Sequence, residues 1–229
     1  MLPDNHDEIV AALSHVSLLS ALTEQEIKRL ASKVKVHRLK KNQSVVEKGD
    51  PSDSLIFVLS GRLNVVEINR EGQLVALASL DSGMHLGEMG IISGRPRSAT
   101  VVTETSATIG YLRKADAVAL ISEHSSVAWE VMQRMASMLN DTNAQLLVMN
   151  LPQVRDRIEA VLMMLAKTYH NIVVVEQLPS QQNLANRCNT SRETVSRVLS
   201  QLVKEGLIER DNRRLIIRRP ELLRQVSDF

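Results

Sequence analysis

The chain has 229 residues, with 28 Lys and Arg against 26 Asp and Glu for a formal charge of +2. Apolar residues make up 44% and aromatic ones only 2%, so one or two domains are expected, with cores of Leu, Val, Ile, Ala and Met. The single cysteine, Cys188, excludes an intrachain disulfide and any cluster held by several thiolates of one chain.

The N-terminal stretch carries Asp4, Asp7 and Glu8 and lacks a basic-then-apolar pattern, so no signal peptide is expected. No apolar run approaches the length of a membrane span, and the expected location is cytoplasmic. The charge is uneven. Residues 151–229 hold 13 Lys and Arg against 9 Asp and Glu, while residues 1–150 hold 15 against 17. A basic excess in the last third is expected if that part meets a polyanion.

Residues 6–34 read as mostly helical. Thr23 and Glu26 have the spacing of a capping box, ahead of Ile27, Leu30 and Val34 on one face. From about Val36 the period changes to short Val/Ile/Leu runs between glycine turns. Strands are predicted at Leu55–Leu59, Leu63–Ile68, Leu74–Leu80, Ala99–Thr103 and Ala107–Leu112. That spacing predicts a β-sandwich or β-roll.

A glycine-rich segment, Gly87 to Thr100, interrupts the strands with three glycines, Glu88, Arg95, Arg97 and two serines. Glycines let backbone N–H groups approach a ligand. Met89 to Ser93 suit one helical turn facing an anion. Arg97 and Ser98 are donors, whereas an ionised Glu88 only accepts and so suits hydroxyls. A plain solvated turn has the same composition. His85, just before, reads as a loop histidine without a function, a haem ligand being the alternative.

Lys114–Glu123 is predicted as a short helix, and a long one from Ser125 or Ser126 to about Asn150. Met132, Met135, Leu139, Thr142, Leu146 and Met149 form a heptad seam with one polar member. Such a seam predicts a parallel two-stranded coiled coil and a homodimer, or else a helix packed on its own domain. Leu151-Pro152 bends the chain. A helix over Val154–Tyr169 and a strand at Ile172–Val175 follow, then a helix capped by Ser180 that ends at Arg187. After the turn Cys188-Asn189-Thr190, a second helix runs from Arg192 to about Lys204, with Gly206 at its C′ position. Leu207–Glu209 and Leu215–Arg218 pair as a hairpin around Asp211-Asn212. Two short helices, a tight turn and a basic hairpin read as a winged helix-turn-helix. Arg192 and Arg197 suit guanine, and Glu193 a cytosine amino group. Arg187, Arg213, Arg214, Arg218 and Arg219 suit phosphates. Cys188 reads as a small buried filler rather than a redox switch.

Two of these motifs carry a resemblance. Gly87-Glu88, eight residues, then Arg97-Ser98-Ala99 resembles the phosphate-binding cassette of cyclic-nucleotide-binding domains. Ser191-Arg192-Glu193-Thr194-Val195-Ser196-Arg197 resembles the recognition helix of the cyclic AMP receptor protein (catabolite activator)/FNR family of bacterial transcription regulators. The resemblance covers about residues 15–220. It implies that Glu88 binds a ribose hydroxyl, that Gly87, Arg97, Ser98 and the Ala99 amide bind a cyclic phosphate, and that Thr142 and Asn143 meet the base in their own and the partner's pocket. Cyclic AMP is the effector it implies. It implies DNA contacts by Ser191, Arg192, Glu193, Thr194, Arg197, Arg213 and Arg214. The implied partners are double-stranded DNA, a second copy and RNA polymerase, with no membrane. One position departs: Met138 stands where the family often has an arginine that pairs with the cassette glutamate. Arg134, one turn earlier, is not an obvious replacement, so Glu88 is expected to lack a partner.

The fold class is therefore read as α+β. It comprises an effector-binding β-roll over residues 1–124, a dimerisation helix over 125–150 and a winged helix-turn-helix over 151–229. No catalytic or metal-binding set is found, so the chain is not read as an enzyme. The alternatives are the same DNA-binding role with cyclic di-GMP, another small molecule or no effector, and an enzyme acting on cyclic nucleotides.

Overall fold

The structure is a computed structural model that describes residues 6–68, 74–211 and 214–223. The chain divides into two compact units, Met1–Met135 and Ala136–Phe229.

The first unit opens with α1 (His6–Ser14), a 3-10 turn (Ser17–Leu19) and α2 (Glu24–Ala31). The capping box forms: Thr23 N–H donates to Glu26 at 2.7 Å and Glu26 N–H to Thr23 Oγ1 at 3.4 Å, a device that contributes about 1 kcal/mol. Then come β1 (Lys35–Leu39), β2 (Ser44–Val46), β3 (Ser54–Ser60), β4 (Arg62–Ile68), β5 (Leu74–Asp81) and β6 (His85–Leu86). They are followed by α3 (Glu88–Ser93), β7 (Thr100–Thr103), β8 (Ala107–Arg113), α4 (Lys114–Glu123) and the start of α5 (Ser125–Met149). The strands form two antiparallel sheets, ordered β1-β8-β3-β6 and β2-β7-β4-β5.

Strand β3 shows how the sequence builds two cores from one strand. Successive side chains point to opposite faces. Ile56 and Val58 join Leu63, Val101 and Ile109 between the sheets. Leu55, Phe57 and Leu59 pack outward against Leu13, Leu19, Leu30 and Val131 of the helical layer. A strand buried on both faces reads as an unbroken apolar run, and this one is Leu-Ile-Phe-Val-Leu. All five predicted strands are present. β1, β2 and β6 escaped notice because they are two to five residues long and lie at sheet edges.

The second unit contains the rest of α5, α6 (Val154–Leu165), β9 (Lys167–Tyr169), β10 (Ile172–Val175), α7 (Gln181–Arg187), α8 (Arg192–Lys204), β11 (Ile208–Asp211), β12 (Arg214–Ile217) and a 3-10 turn (Pro220–Leu222). Its sheet order is β11-β12-β10-β9, all antiparallel. The helix predicted over Val154–Tyr169 is shorter than expected. Ala166 is already extended, and Lys167 to Tyr169 pair with β10. The connecting His170 and Asn171 both have positive φ, 44° and 68°, the conformation that a two-residue hairpin turn of the I′ type needs. The core of this unit gathers Val148, Leu151, Ile158, Leu162, Leu184, Val195, Leu199, Leu202 and Leu215. The last turns of α5 therefore belong to it.

Candidate ligand site and nucleic-acid interface

The glycine-rich segment forms α3 with Gly87 as its N-cap at φ 100° and Gly94 as its C-cap at φ 69°. At Gly87 a Cβ would collide with the Arg97 guanidinium and the Ser54 carbonyl. Glycine is required there both by backbone and by space. The Arg97 backbone is fixed on both sides: its N–H donates to Asp50 O and its carbonyl accepts from Gly49 N–H, both at 2.9 Å. Its side chain is buried, and Nη2 donates to Ser54 O at 2.7 Å and Ser54 Oγ at 3.2 Å. Nε and Nη1 have no partner, nor do Glu88 Oε2 and Ser52 Oγ, although all are buried. Native structures rarely leave such groups unmet. Burial pulls the Arg97 pKa down against the opposing pull of Asp53, Tyr111, Asp50 and Glu88. Ser98 is exposed and Ala99 half-buried.

Glu88 is not without an ion-pair partner. Arg134 Nε lies 3.4 Å from its Oε1. Arg134 on α5 thus stands beside the carboxylate that the resemblance had assigned to an arginine at the position of Met138. Met138 itself is exposed. His85 is also placed differently from its loop reading. It lies in β6, opposite Phe57, and is buried with both ring nitrogens unpartnered. Burial, with Arg134 adding to it, pushes its pKa down to about 4, so the ring is neutral at pH 7.

Arg97 also lines a surface cavity of about 360 Å³ with Lys35, Asp50, Asp53, Tyr111 and Arg113. Of the cassette side chains only Arg97 lines it. Thr142 and Asn143 belong to the second unit and are exposed. Thr142 Oγ1 donates to Met138 O at 2.8 Å, the usual back-bond of a helical threonine. On the seam, Met132 in the first unit and Leu139 and Leu146 in the second are 53–61% exposed.

In the second unit, α7 and α8 are capped as their sequences require. Ser180 accepts from Asn183 N–H and Ser191 from Thr194 N–H, each at 3.2 Å. Asn189 in the turn has φ 46°, a conformation asparagine tolerates. Gly206 follows α8 at φ 69° as predicted. Val195, Leu199 and Leu202 are fully buried. That anchors the helix by roughly 1.5–3 kcal/mol per side chain and leaves Arg192, Glu193 and Arg197 exposed together. Hydrogen bonds from its own N–H and from Ser191 hold the Glu193 carboxyl below the usual carboxylate range, so it is an acceptor at pH 7. Arg192 shares a cavity of about 530 Å³ with Ser180, Gln181, Gln182 and Arg210. Arg210, on β11, was missed by sequence reading; in the register it stands beside Leu215 on the wing hairpin. Arg214 opens β12 and is exposed, whereas Arg213 lies outside the described residues. Arg218 is already paired with Glu209. Below, Arg155 joins α6 to the end of α8: Nε donates to Glu159 at 2.7 Å, and Nη1 and Nη2 to Glu205 at 3.1 and 2.6 Å.

Residues 36–124 match the family described as the cyclic nucleotide-binding domain, and residues 156–226 the Crp-like helix-turn-helix domain. The cyclic AMP receptor protein of Thermus thermophilus is 27% identical over 210 residues, 92% of this chain and 96% of that protein. The crystal structure of the Thermus thermophilus catabolite activator protein superposes with a TM-score of 0.54 at 26% identity, over 92% of this chain and 98% of that one. The cyclic di-GMP responsive regulator CLP of Xanthomonas campestris shares the fold, with a TM-score of 0.60 at 23% identity over 85% of this chain and 99% of that one.

Fold and matches together define a DNA-binding transcription regulator that carries a cyclic nucleotide-binding domain. The chain belongs to the cyclic AMP receptor protein/FNR family, whose members regulate transcription rather than act as enzymes.

Proposed function

We propose that this regulator is a homodimer whose DNA binding is set by a cyclic nucleotide, cyclic AMP before others, held at the cassette. One observation carries the reading: in the glycine-rich segment, buried Glu88 offers an unused acceptor and buried Arg97 two unused donors. A cyclic nucleoside monophosphate matches both at once. Its ribose hydroxyl donates to Glu88, and its phosphate oxygens accept from Arg97, the Ser98 hydroxyl and the Ala99 N–H, with Gly87 giving the close approach. Cyclic AMP is favoured because the relative matched over 92% of this chain is named for it. Arg134, already beside Glu88, takes the part of the missing arginine and orients the carboxylate. The organisation follows as an effector domain over 1–124, a dimer helix over 125–150 and a DNA-binding domain over 151–229.

The exposed seam through Met132, Leu139 and Leu146 is the dimer face. Thr142 and Asn143 on that helix meet the adenine of one subunit and of its partner. A ligand held by both chains biases their packing, and the bend near Pro152 carries the bias to the DNA-binding domain. There Arg192, Glu193 and Arg197 read base edges, helped by Ser191 and Thr194, while Arg213 and Arg214 meet phosphate. RNA polymerase is the further partner, and the cytoplasm the location, that this role implies.

Isothermal titration with cyclic AMP, cyclic GMP and cyclic di-GMP in parallel tests the site. Saturable cyclic AMP binding near one per subunit supports it. Binding of cyclic di-GMP alone replaces the effector and keeps the fold's role. Sedimentation of the Leu139→Lys variant tests the dimer face: a variant as dimeric as the wild type rejects it.

A further inference from the structure

Helix α7 ends at Arg187, and the last carbonyls of a helix have no intrahelical donor. In the turn that follows, Cys188 N–H donates back to Leu184 O and Thr190 N–H to Ala185 O, both at 2.9 Å. The carbonyls of Arg187 and Cys188 are left to donors from elsewhere, and two side chains supply them. Gln145 Nε2, on α5, donates to Arg187 O at 2.5 Å. Arg157 Nε, on α6, donates to Cys188 O at 2.9 Å. Through Nη1 the same guanidinium donates to Leu151 O at 2.8 Å and Pro152 O at 3.4 Å. One arginine therefore ties the bend between α5 and α6 to the turn before α8. The turn has little freedom otherwise: Asn189 is left-handed and the Cys188 side chain is fully buried.

We propose that Gln145 and Arg157 are positioning residues for DNA binding: they grip two consecutive carbonyls of the turn and so fix the angle at which α8 leaves it. Neither side chain touches DNA in this role. The proposal rests on α8 as the base-contacting helix and adds what aims it. It also gives α5 a direct hold on the turn. Gln145 stands three residues beyond Thr142 in the same helix, so a rotation or shift of α5 at Thr142 arrives at Arg187 O through one side chain. Such a contact is the kind of physical link that coupling between sites requires.

The test uses full-length variants at Gln145. Gln145→Glu sets an acceptor against an acceptor, Gln145→Met removes the donor, and Gln145→Lys keeps one. Each is titrated with a duplex selected from a random pool by the wild type and with a scrambled duplex, without ligand and with cyclic AMP. In Gln145→Glu the preference for the selected duplex should fall roughly tenfold, as for a part-buried polar group that loses its partner. Gln145→Met should lose less and Gln145→Lys should stay near the wild type. The salt dependence on scrambled DNA should not change, because the phosphate contacts are the same. Arg157→Met should behave as Gln145→Glu does. A readout without DNA stands beside this: amide exchange over residues 188–195 should quicken several-fold in Gln145→Glu, and more than over α6 and β10. Wild-type preference together with wild-type exchange in Gln145→Glu overturns the proposal. Equal loss on both duplexes with a lowered melting temperature also overturns it, in favour of a merely structural bond. A wild type that prefers no duplex counts against the reading of α8 instead, and the exchange comparison then decides the proposal by itself.

Discussion

The glycine-rich segment and α8, which we propose hold the effector and read DNA, both present an arginine and a glutamate, yet they handle charge in opposite ways. In the cassette, Glu88 and Arg97 are buried with hydrogen-bonding atoms left unmet. On α8, Glu193 and Arg197 are exposed above an apolar underside in which Val195, Leu199 and Leu202 are fully buried. A small ligand must be surrounded, so its site holds polar atoms away from water until the ligand meets them. A duplex is too large to surround, so its site keeps charges in water and relies on a satisfied scaffold to aim them. The Arg155 clamp is part of that scaffold. It carries a buried carboxylate as the cassette does, but every donor of its guanidinium that is aimed at Glu159 or Glu205 is used.

The largest effect should come from breaking that satisfied cluster. Arg155→Met should cost about 3 kcal/mol of stability, the low end for breaking a buried pair, because Arg155 itself is 33% exposed while Glu159 is 7%. Urea unfolding followed through the second unit measures it, and a loss within the usual scatter of a surface substitution would mean that the clamp is ornamental. Next comes the cassette. Arg97→Met should weaken cyclic AMP binding roughly hundredfold, the scale of two charge-assisted hydrogen bonds. Circular dichroism should be unchanged, since Ser54 is the one group that gives up a bond in the free protein. Unaltered titration of this variant would move the ligand elsewhere. Arg197→Ala should cost about 1–3 kcal/mol at one base position and relax specificity there. A binding-site selection that returns the wild-type motif would separate Arg197 from base reading.

How much of this was legible in the sequence depended on the distance between partners along the chain. The capping box of Thr23 and Glu26, the Ser180 cap and the turn at Cys188-Asn189-Thr190 all act within a few residues and were legible in the sequence. The apolar run Leu55–Leu59 was legible as a strand, while its burial on both faces came from the packing of two cores around it. What stayed hidden joins distant positions: Arg134 to Glu88, Gln145 to Arg187, Arg155 to Glu205. A side chain's reach is not written in periodicity, so Arg134 was passed over for want of the expected spacing. His85 was hidden for the opposite reason. A strand of two residues has no pattern, and a histidine beside glycines reads as a loop.

His85 gives the mildest and most specific way to tell the two regions apart. Its pKa in the folded chain is about 4, against an ordinary 6.5. Between those values the unfolded chain binds more protons than the folded one, so stability falls as pH falls through the window and levels off below about 4. The slope from this group cannot exceed about 1.4 kcal/mol per pH unit. The recognition helix offers no counterpart, its charges being exposed. His85→Phe removes the titration and keeps an apolar ring in the helical layer, so its stability should decline less than that of the wild type between pH 6.5 and 4. Arg134→Met withdraws the second cause of the low pKa and should shorten the decline, its lower limit moving up from about 4 toward 6.5. Thermal unfolding of the three proteins across that range reads both effects. Parallel curves for wild type and His85→Phe would mean that the histidine is not held neutral by burial, and that the cassette's neighbourhood is wetter than its unmet polar atoms imply.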